Sequence, residues 1–276
     1  MNKYLRIIIL VIIITGINAF CHTEKNKTNQ DIKEYDKRIK DNPNDAFLYD
    51  VRATLYFEID NYDNAIKDHL HAINLSKDDS FYYFLSKTYL AKGDIEKAFD
   101  AIQNSMKINK HRNYYFIRAL CFDFKNNPKE ALKDYETFLI DKTPQAQDFN
   151  YYYIACIRRG IILYNNGIYD KAFIEFENGI YIGKMIKKSS QDIYYLRFLA
   201  NMKLKKYPDV YNDLDVVLNE GFNNKERLLN DIKNENDDFK SEVSTMINKK
   251  MKFNTSMKDI VFYNQDYLIK KLLGKI

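Results

Sequence analysis

One pattern returns five times along the chain, and it leaves the fold little freedom. An aromatic or apolar start is followed by a small residue, an aromatic, a short turn, and an alanine near the head of a second apolar segment. The copies read YDVRATLYFEIDNYDNAIKDHLHAINL from Tyr49, YYFLSKTYLAKGDIEKAFDAIQNSMKI from Tyr82, YFIRALCFDFKNNPKEALKDYETFLID from Tyr115, CIRRGIILYNNGIYDKAFIEFENGIYI from Cys156 and, more weakly, YYLRFLANMKLKKYPDVYNDLDVVLNE from Tyr194. Ala65, Ala98 and Ala131 stand 33 residues apart; Ala172 follows after 41 and Val210 after 38. The extra length falls around Thr143-Pro144-Gln145 and around Lys187-Lys188-Ser189-Ser190. A period of this size marks supersecondary units that bury their apolar faces only by stacking on a neighbour. Punctuation is sparse, with 8 Gly and 4 Pro in 276 residues, so long helices with short turns are expected rather than a many-stranded sheet.

Each recurring position has a physical reason. Ala53, Ser86, Ala119 and Gly160 fill the small position of the first helix, and Ala65, Ala98, Ala131 and Ala172 that of the second. Small residues at a crossing let two helix axes approach to about 8–10 Å. Tyr56, Tyr89, Phe122 and Leu163 fill the space beside the crossing, as His69, Ile102, Tyr135, Phe176 and Leu214 do from the second helix. Asp60, Gly93, Asn126 and Gly167 sit at the helix exit, where a left-handed conformation is wanted. In the fifth copy Phe198, Asn201 and Lys205 replace the small, aromatic and turn residues, which predicts a distorted hairpin.

With these residues at this spacing, the chain resembles the tetratricopeptide repeat family over about residues 31–221. The resemblance implies an all-α protein, a right-handed α-solenoid of about five helix pairs. DIKEYDKRIKDNPND from Asp31 reads as a half-repeat cap at the start, with Ile32, Tyr35 and Ile39 on one face. Residues 222–276 read as a helical C-terminal cap, with helices expected over Arg227–Asn234, Asp238–Lys250 and Ser256–Leu273.

Ahead of the repeats, Lys3 and Arg6 precede the apolar run Ile7–Ile14, with weaker apolar character through Phe20. That run suits a secretory signal over residues 1–20, followed by a linker over 21–30; a bilayer span takes about 18 or more residues. Three outcomes stay open. Cleavage after Ile17-Asn18-Ala19 gives a soluble exported form. Lipidation at Cys21 follows if Asn18-Ala19-Phe20-Cys21 serves as a degenerate lipobox, from which Asn18 and Phe20 depart. The third outcome is an uncleaved anchor. The expected location is the periplasm, outer membrane or cell surface of a bacterium. Cys121 and Cys156 fall at apolar helix positions and are expected as buried free thiols, with a disulfide between them in the exported chain as the lesser alternative.

Chemistry-bearing motifs are scarce. The chain holds no phosphate-binding glycine turn, no G-x-S-x-G and no HExxH, so no catalytic residue and no cofactor is assigned. His69 and His71 lie two apart on a helix and face different ways, while His22 and His111 are isolated; no metal site is expected. The net charge of +5 is uneven. Residues 240–276 carry +5, the first twenty +2, and the body between them −2. A near-neutral body argues against a nucleic-acid stripe.

The resemblance implies a protein–protein interaction scaffold whose first helices line a concave groove. The residues it assigns there are Tyr83, Phe84, Lys87, Phe116, Ile117, Ile157, Arg158, Ile161 and Tyr195, with Asp50, Thr54, Leu120, Leu196 and Leu199 beside them. These side chains make the groove apolar and aromatic, suited to a protein or peptide segment. Only Arg158 fits the polar pattern with which some family members clamp a terminal carboxylate. A self-docked Ser256–Leu273 helix is a further occupant, and a cell-envelope assembly lipoprotein of outer-membrane or pilus type is the alternative function.

Overall fold

A computed structural model describes residues 26–140, 148–187, 191–219 and 225–250. The export segment, Cys21 and the Ser256–Leu273 helix expected from sequence lie outside the described residues. Among the described residues there is no strand. A helix over residues 26–41 (α1) precedes α2 (Ala46–Glu58), α3 (Tyr62–Leu75), α4 (Asp79–Lys92), α5 (Ile95–Ile108), α6 (Arg112–Phe124) and α7 (Pro128–Leu139). Then come α8 (Phe149–Asn165), α9 (Tyr169–Met185), α10 (Gln191–Lys203), α11 (Tyr207–Asn219), α12 (Lys225–Asp231) and α13 (Asp237–Lys250). The chain forms two compact units, divided within α6 between Cys121 and Phe122. In the first, α2 packs on α3 and α4 on α5; in the second, α8 packs on α9 and α10 on α11. No helix among the described residues is long and apolar enough to cross a membrane.

The same turn closes the first helix of every pair. Asp60, Gly93, Asn126, Gly167 and Lys205 all have a left-handed backbone, with φ between 55° and 86°. The amide of each turn residue donates to the carbonyl three residues back, and the next amide to the carbonyl five back. Examples are Asp60 to Phe57 and Asn61 to Tyr56, or Lys205 to Met202 and Lys206 to Asn201, at 2.9–3.1 Å. This double bond satisfies carbonyls that a helix end would otherwise leave orphaned. Four residues after the residue that follows the turn comes the repeat's alanine, whose amide closes the first turn of the second helix: Ala65 on Asn61, Ala98 on Asp94, Ala131 on Asn127, Ala172 on Ile168 and Val210 on Lys206. The expected distortion of the fifth hairpin is not found at the turn. Lys205 adopts the left-handed conformation with φ 56° because its two backbone bonds require it, despite the small penalty a Cβ brings there.

Helix starts follow local chemistry. The Asp45 carboxylate accepts from the Phe47 amide and the Asp78 carboxylate from the Ser80 amide; Asp94 does the same for Lys97. Each satisfies an orphan donor of a first turn. At α7 Asn127 makes no side-chain cap bond and Pro128 opens the helix instead, where a missing amide hydrogen costs nothing.

Burial follows the recurring positions. Ala53, Ala65, Ser86, Ala98, Ala119, Ala131 and Ala172 have no exposed surface, and His69, Ile102, Tyr135, Phe176 and Leu214 are equally enclosed. Ile32 and Ile39 of α1 are buried as a cap requires. The one glycine among the small positions has a specific reason: a Cβ on Gly160 would lie 2.4 Å from Cε1 of Phe176. In the fifth copy Phe198 and Val210 replace the small residues, and both are wholly buried, with Phe198 stacked on Tyr195 at 5.9 Å between ring centres.

Gly160→Ala should therefore destabilise by about 1–3 kcal/mol, because a buried aromatic ring must shift. Adding Phe176→Leu should recover part of that loss, because the atoms that the new methyl meets all belong to the Phe176 ring. Urea unfolding followed by circular dichroism checks both; equal midpoints for wild type and Gly160→Ala would refute the steric account.

Candidate binding surface

The residues assigned to a groove from sequence divide into two kinds. In the first unit Tyr83, Phe116 and Ile117 are buried, whereas Phe84 and Lys87 are half-buried. In the second, Arg158, Ile161 and Tyr195 are buried and Ile157 is half-buried. The buried ones serve helix packing first, so within each unit the surface offered to a partner is smaller than the sequence implied.

Phe84 and Lys87 lie one turn apart on α4 and make a defined patch. Behind them, in a fully enclosed position, His69 Nδ1 lies 2.7 Å from Asp50 Oδ1. The His69 ring stacks on Phe84 with centroids 6.4 Å apart and planes 9° from parallel. The Lys87 ammonium stands 5.5 Å from the Phe84 ring centre and 5.6 Å from that of Tyr83. Tyr83 in turn packs on Tyr114 at 5.1 Å. Phe84 is thus fixed from behind by a hydrogen-bonded pair, and its open side carries a cation held close to an aromatic face. Asp50, expected on the groove surface, is instead turned inward to His69. His71 points elsewhere, against Tyr49 at 4.1 Å, as the two-residue spacing required.

In the second unit Arg158 is drawn inward. Its Nε donates to Asp123 Oδ2 at 2.6 Å, its guanidinium lies 5.7 Å from the Phe124 ring centre, and the Tyr135 hydroxyl bonds the same Asp123 oxygen at 3.4 Å. Both partners of the pair are about nine-tenths enclosed. Burial pushes the Tyr135 phenol well above its ordinary range, so it remains a donor. The one residue that matched a carboxylate-clamp pattern therefore has its charge engaged by an internal carboxylate. Tyr195 likewise points its hydroxyl to Asp231, with Arg227 5.0 Å from its ring centre.

A cross-helix ion pair recurs at a spacing of 16 residues, and the sequence reading missed it. Arg52 meets Asp68 through two bonds of 2.7 Å and also reaches Asp36 of α1 at 2.7 Å. Arg159 meets Glu175 at 2.8 Å, and Arg197 meets Asp213 at 2.6 Å. Each joins the first helix of a pair to its second. Asn201, standing where the first three copies have an aromatic, donates to Asp213 at 3.1 Å. The second copy has Leu85 and Ala101 at these positions, both within one apolar cluster. The detectable signal was an Arg four places into the copy and an acid 16 residues later; Arg118 and Asp134 share it in sequence.

Cys121 and Cys156 are buried thiols outside any disulfide, as expected. Burial, reinforced by Glu175, holds the Cys156 thiol above its usual range and keeps it protonated. Among the described residues no three His, Cys, Asp or Glu side chains gather to hold a metal.

A family profile described as tetratricopeptide repeat matches residues 80–112. No curated protein matches the sequence. Among solved structures, the C-terminal part of a TPR repeat-containing protein from Cytophaga hutchinsonii is similar with TM-score 0.60 at 19% identity, covering 86% of this chain and 95% of that one. PilW, described as a widely conserved type IV pilus biogenesis factor, gives 0.58 at 13% identity, over 80% of this chain and 95% of that one. YrrB, described as a TPR protein with an unusual peptide-binding site, gives 0.53 at 16% identity, over 76% and 97%. At these identities the likeness is one of fold.

Asp123→Ala should cost about 3–5 kcal/mol, because it strands the Arg158 charge in the interior. Chemical unfolding of the two proteins measures it, and a change below about 1 kcal/mol would mean that Arg158 finds water or another partner. Neither thiol should react with a colorimetric disulfide reagent until denaturant is added.

Proposed function

We propose that this tetratricopeptide repeat protein is a non-catalytic scaffold that holds an extended or helical segment of another protein against the inner faces of its first helices. The observation that carries the reading is the Phe84–Lys87 patch. It offers a half-buried aromatic ring and an adjacent ammonium, with Asp50 and His69 fixing the ring from behind. Rigid aromatic anchors beside a cation suit a peptide with apolar and polar groups, because little side-chain entropy is lost on binding. The peptide-binding site described for YrrB, on a similar fold, supports a peptide as ligand. Ile157 offers a half-buried apolar side chain on the corresponding helix of the second unit.

The proposal includes export, on the strength of Lys3, Arg6 and the Ile7–Ile14 run. A more specific second reading is a lipid-anchored cell-envelope assembly factor. Its support is Cys21 behind that apolar run, together with the fold likeness to the pilus biogenesis factor PilW.

The test is an in-cell cross-linking pull-down with the full-length tagged chain, set beside a Phe84→Ala, Lys87→Ala variant of unchanged helicity. The protein enriched by wild type should fall by at least about tenfold with the variant. Equal recovery would remove the patch as the binding face. Membrane fractionation of Cys21→Ser tests the envelope reading: release to the soluble fraction supports a lipid tether, and unchanged partitioning excludes one at that residue.

A further inference from the structure

Between Asp100 and Asp123 the chain contains no acidic residue, yet it carries Lys107, Lys110, Arg112 and Arg118 together with His111. In a body whose overall balance is −2, this is a local concentration of positive charge. The structure folds that segment into the end of α5, a short connection and the start of α6. Where they meet lies an open pocket of about 270 Å³, lined by Gln103, Met106, Lys107, Lys110, Tyr115 and Arg118. All six residues belong to the first unit, and none of them is a carboxylate.

The lining is ordered by its own contacts. Arg118 donates from Nη1 to Gln103 Oε1 at 3.4 Å, and its guanidinium stands 5.5 Å from the Tyr115 ring centre. Lys107 Nζ donates to Asn104 Oδ1 at 2.9 Å, at the pocket edge. Lys107 and Lys110 are exposed, while Met106 is buried and forms the apolar floor with the half-buried Tyr115 ring. The volume falls below the roughly 300–1,000 Å³ usual for small-molecule sites. It suits one or two side chains of an approaching polypeptide.

We propose that this pocket receives an acidic segment of the protein partner, with a glutamate or aspartate side chain entering it. The carbon stem rests on Met106 and Tyr115, and the carboxylate lies between the ammonium groups of Lys107 and Lys110. A carboxylate on a short aliphatic stem matches an apolar floor ringed by cations. A polyanion such as nucleic acid would need a stripe of positive charge that the −2 body does not supply. The assignment rests on the binding role proposed above and names the chemistry of the partner.

Fluorescence anisotropy with the full-length chain tests it, using a labelled peptide of three glutamates around one phenylalanine and its glutamine counterpart. The glutamate peptide should bind at least about tenfold more tightly than the glutamine peptide, and should weaken as salt rises from about 50 to about 300 mM. Lys107→Glu with Lys110→Glu, at unchanged helicity, should remove that preference, while Phe84→Ala with Lys87→Ala should keep it. Equal binding of the two peptides, or an undiminished preference in the lysine variant, overturns the pocket. If the preference instead disappears only in the Phe84 and Lys87 variant, the acidic segment binds at the inner face: the scaffold role survives and the pocket does not.

Discussion

The pairs α2 with α3, α4 with α5 and α8 with α9 depend on a place where at least one helix carries almost no side chain. Ala53 with Ala65 and Ser86 with Ala98 are wholly enclosed in their pairs, and Gly160 has no room even for a methyl group beneath Phe176. Close axes bring the flanking aromatic and aliphatic side chains into contact and exclude water from backbone and side chain together. The fifth pair departs from this rule: Phe198 and Val210 stand at the small positions and both are wholly enclosed, with Phe198 stacked on Tyr195 at 5.9 Å between ring centres.

Packing alone leaves one freedom, since smooth apolar faces slide. The turn removes part of it, because its paired backbone bonds and left-handed residue set where the second helix starts. The Arg–carboxylate pairs remove more. Two parallel bonds between Arg52 and Asp68, or the fork of Arg197 on Asp213, are satisfied at one displacement of helix against helix. Those acids are deeply enclosed, and burial pushes Glu175 and Asp213 upward from their ordinary range while the facing arginine pulls them back. Such pairs add little to net stability, yet they penalise every arrangement that separates them.

The repeat was legible because it is written in steric terms. Small residues, a turn residue and filler positions recur at fixed spacing, so periodicity alone exposed the helix pairs and their left-handed exits. Lys205 misled the reading because propensity describes what a residue prefers, and the backbone bonds of the turn outweigh that preference. The candidate surface was less legible. Resemblance placed Phe116, Ile161 and Tyr195 on an inner face, but neighbouring helices cover them, and how far they do so depends on helix rotation that one sequence does not encode. Arg158 shows the same difficulty with charge. Its position suggested a ligand, while its partner Asp123 lies 35 residues away on another helix, with no periodic signal linking them.

The second pair departs from this scheme. Leu85 and Ala101 stand where α2 and α3, α8 and α9, and α10 and α11 carry arginine and acid. A buried hydroxyl ties this pair instead: Ser105 Oγ of α5 donates to the Asp79 carbonyl at the head of α4 at 2.8 Å. The helix that carries Phe84 and Lys87 is thus latched to its partner by a neutral bond, one that strands no charge in the interior if it opens.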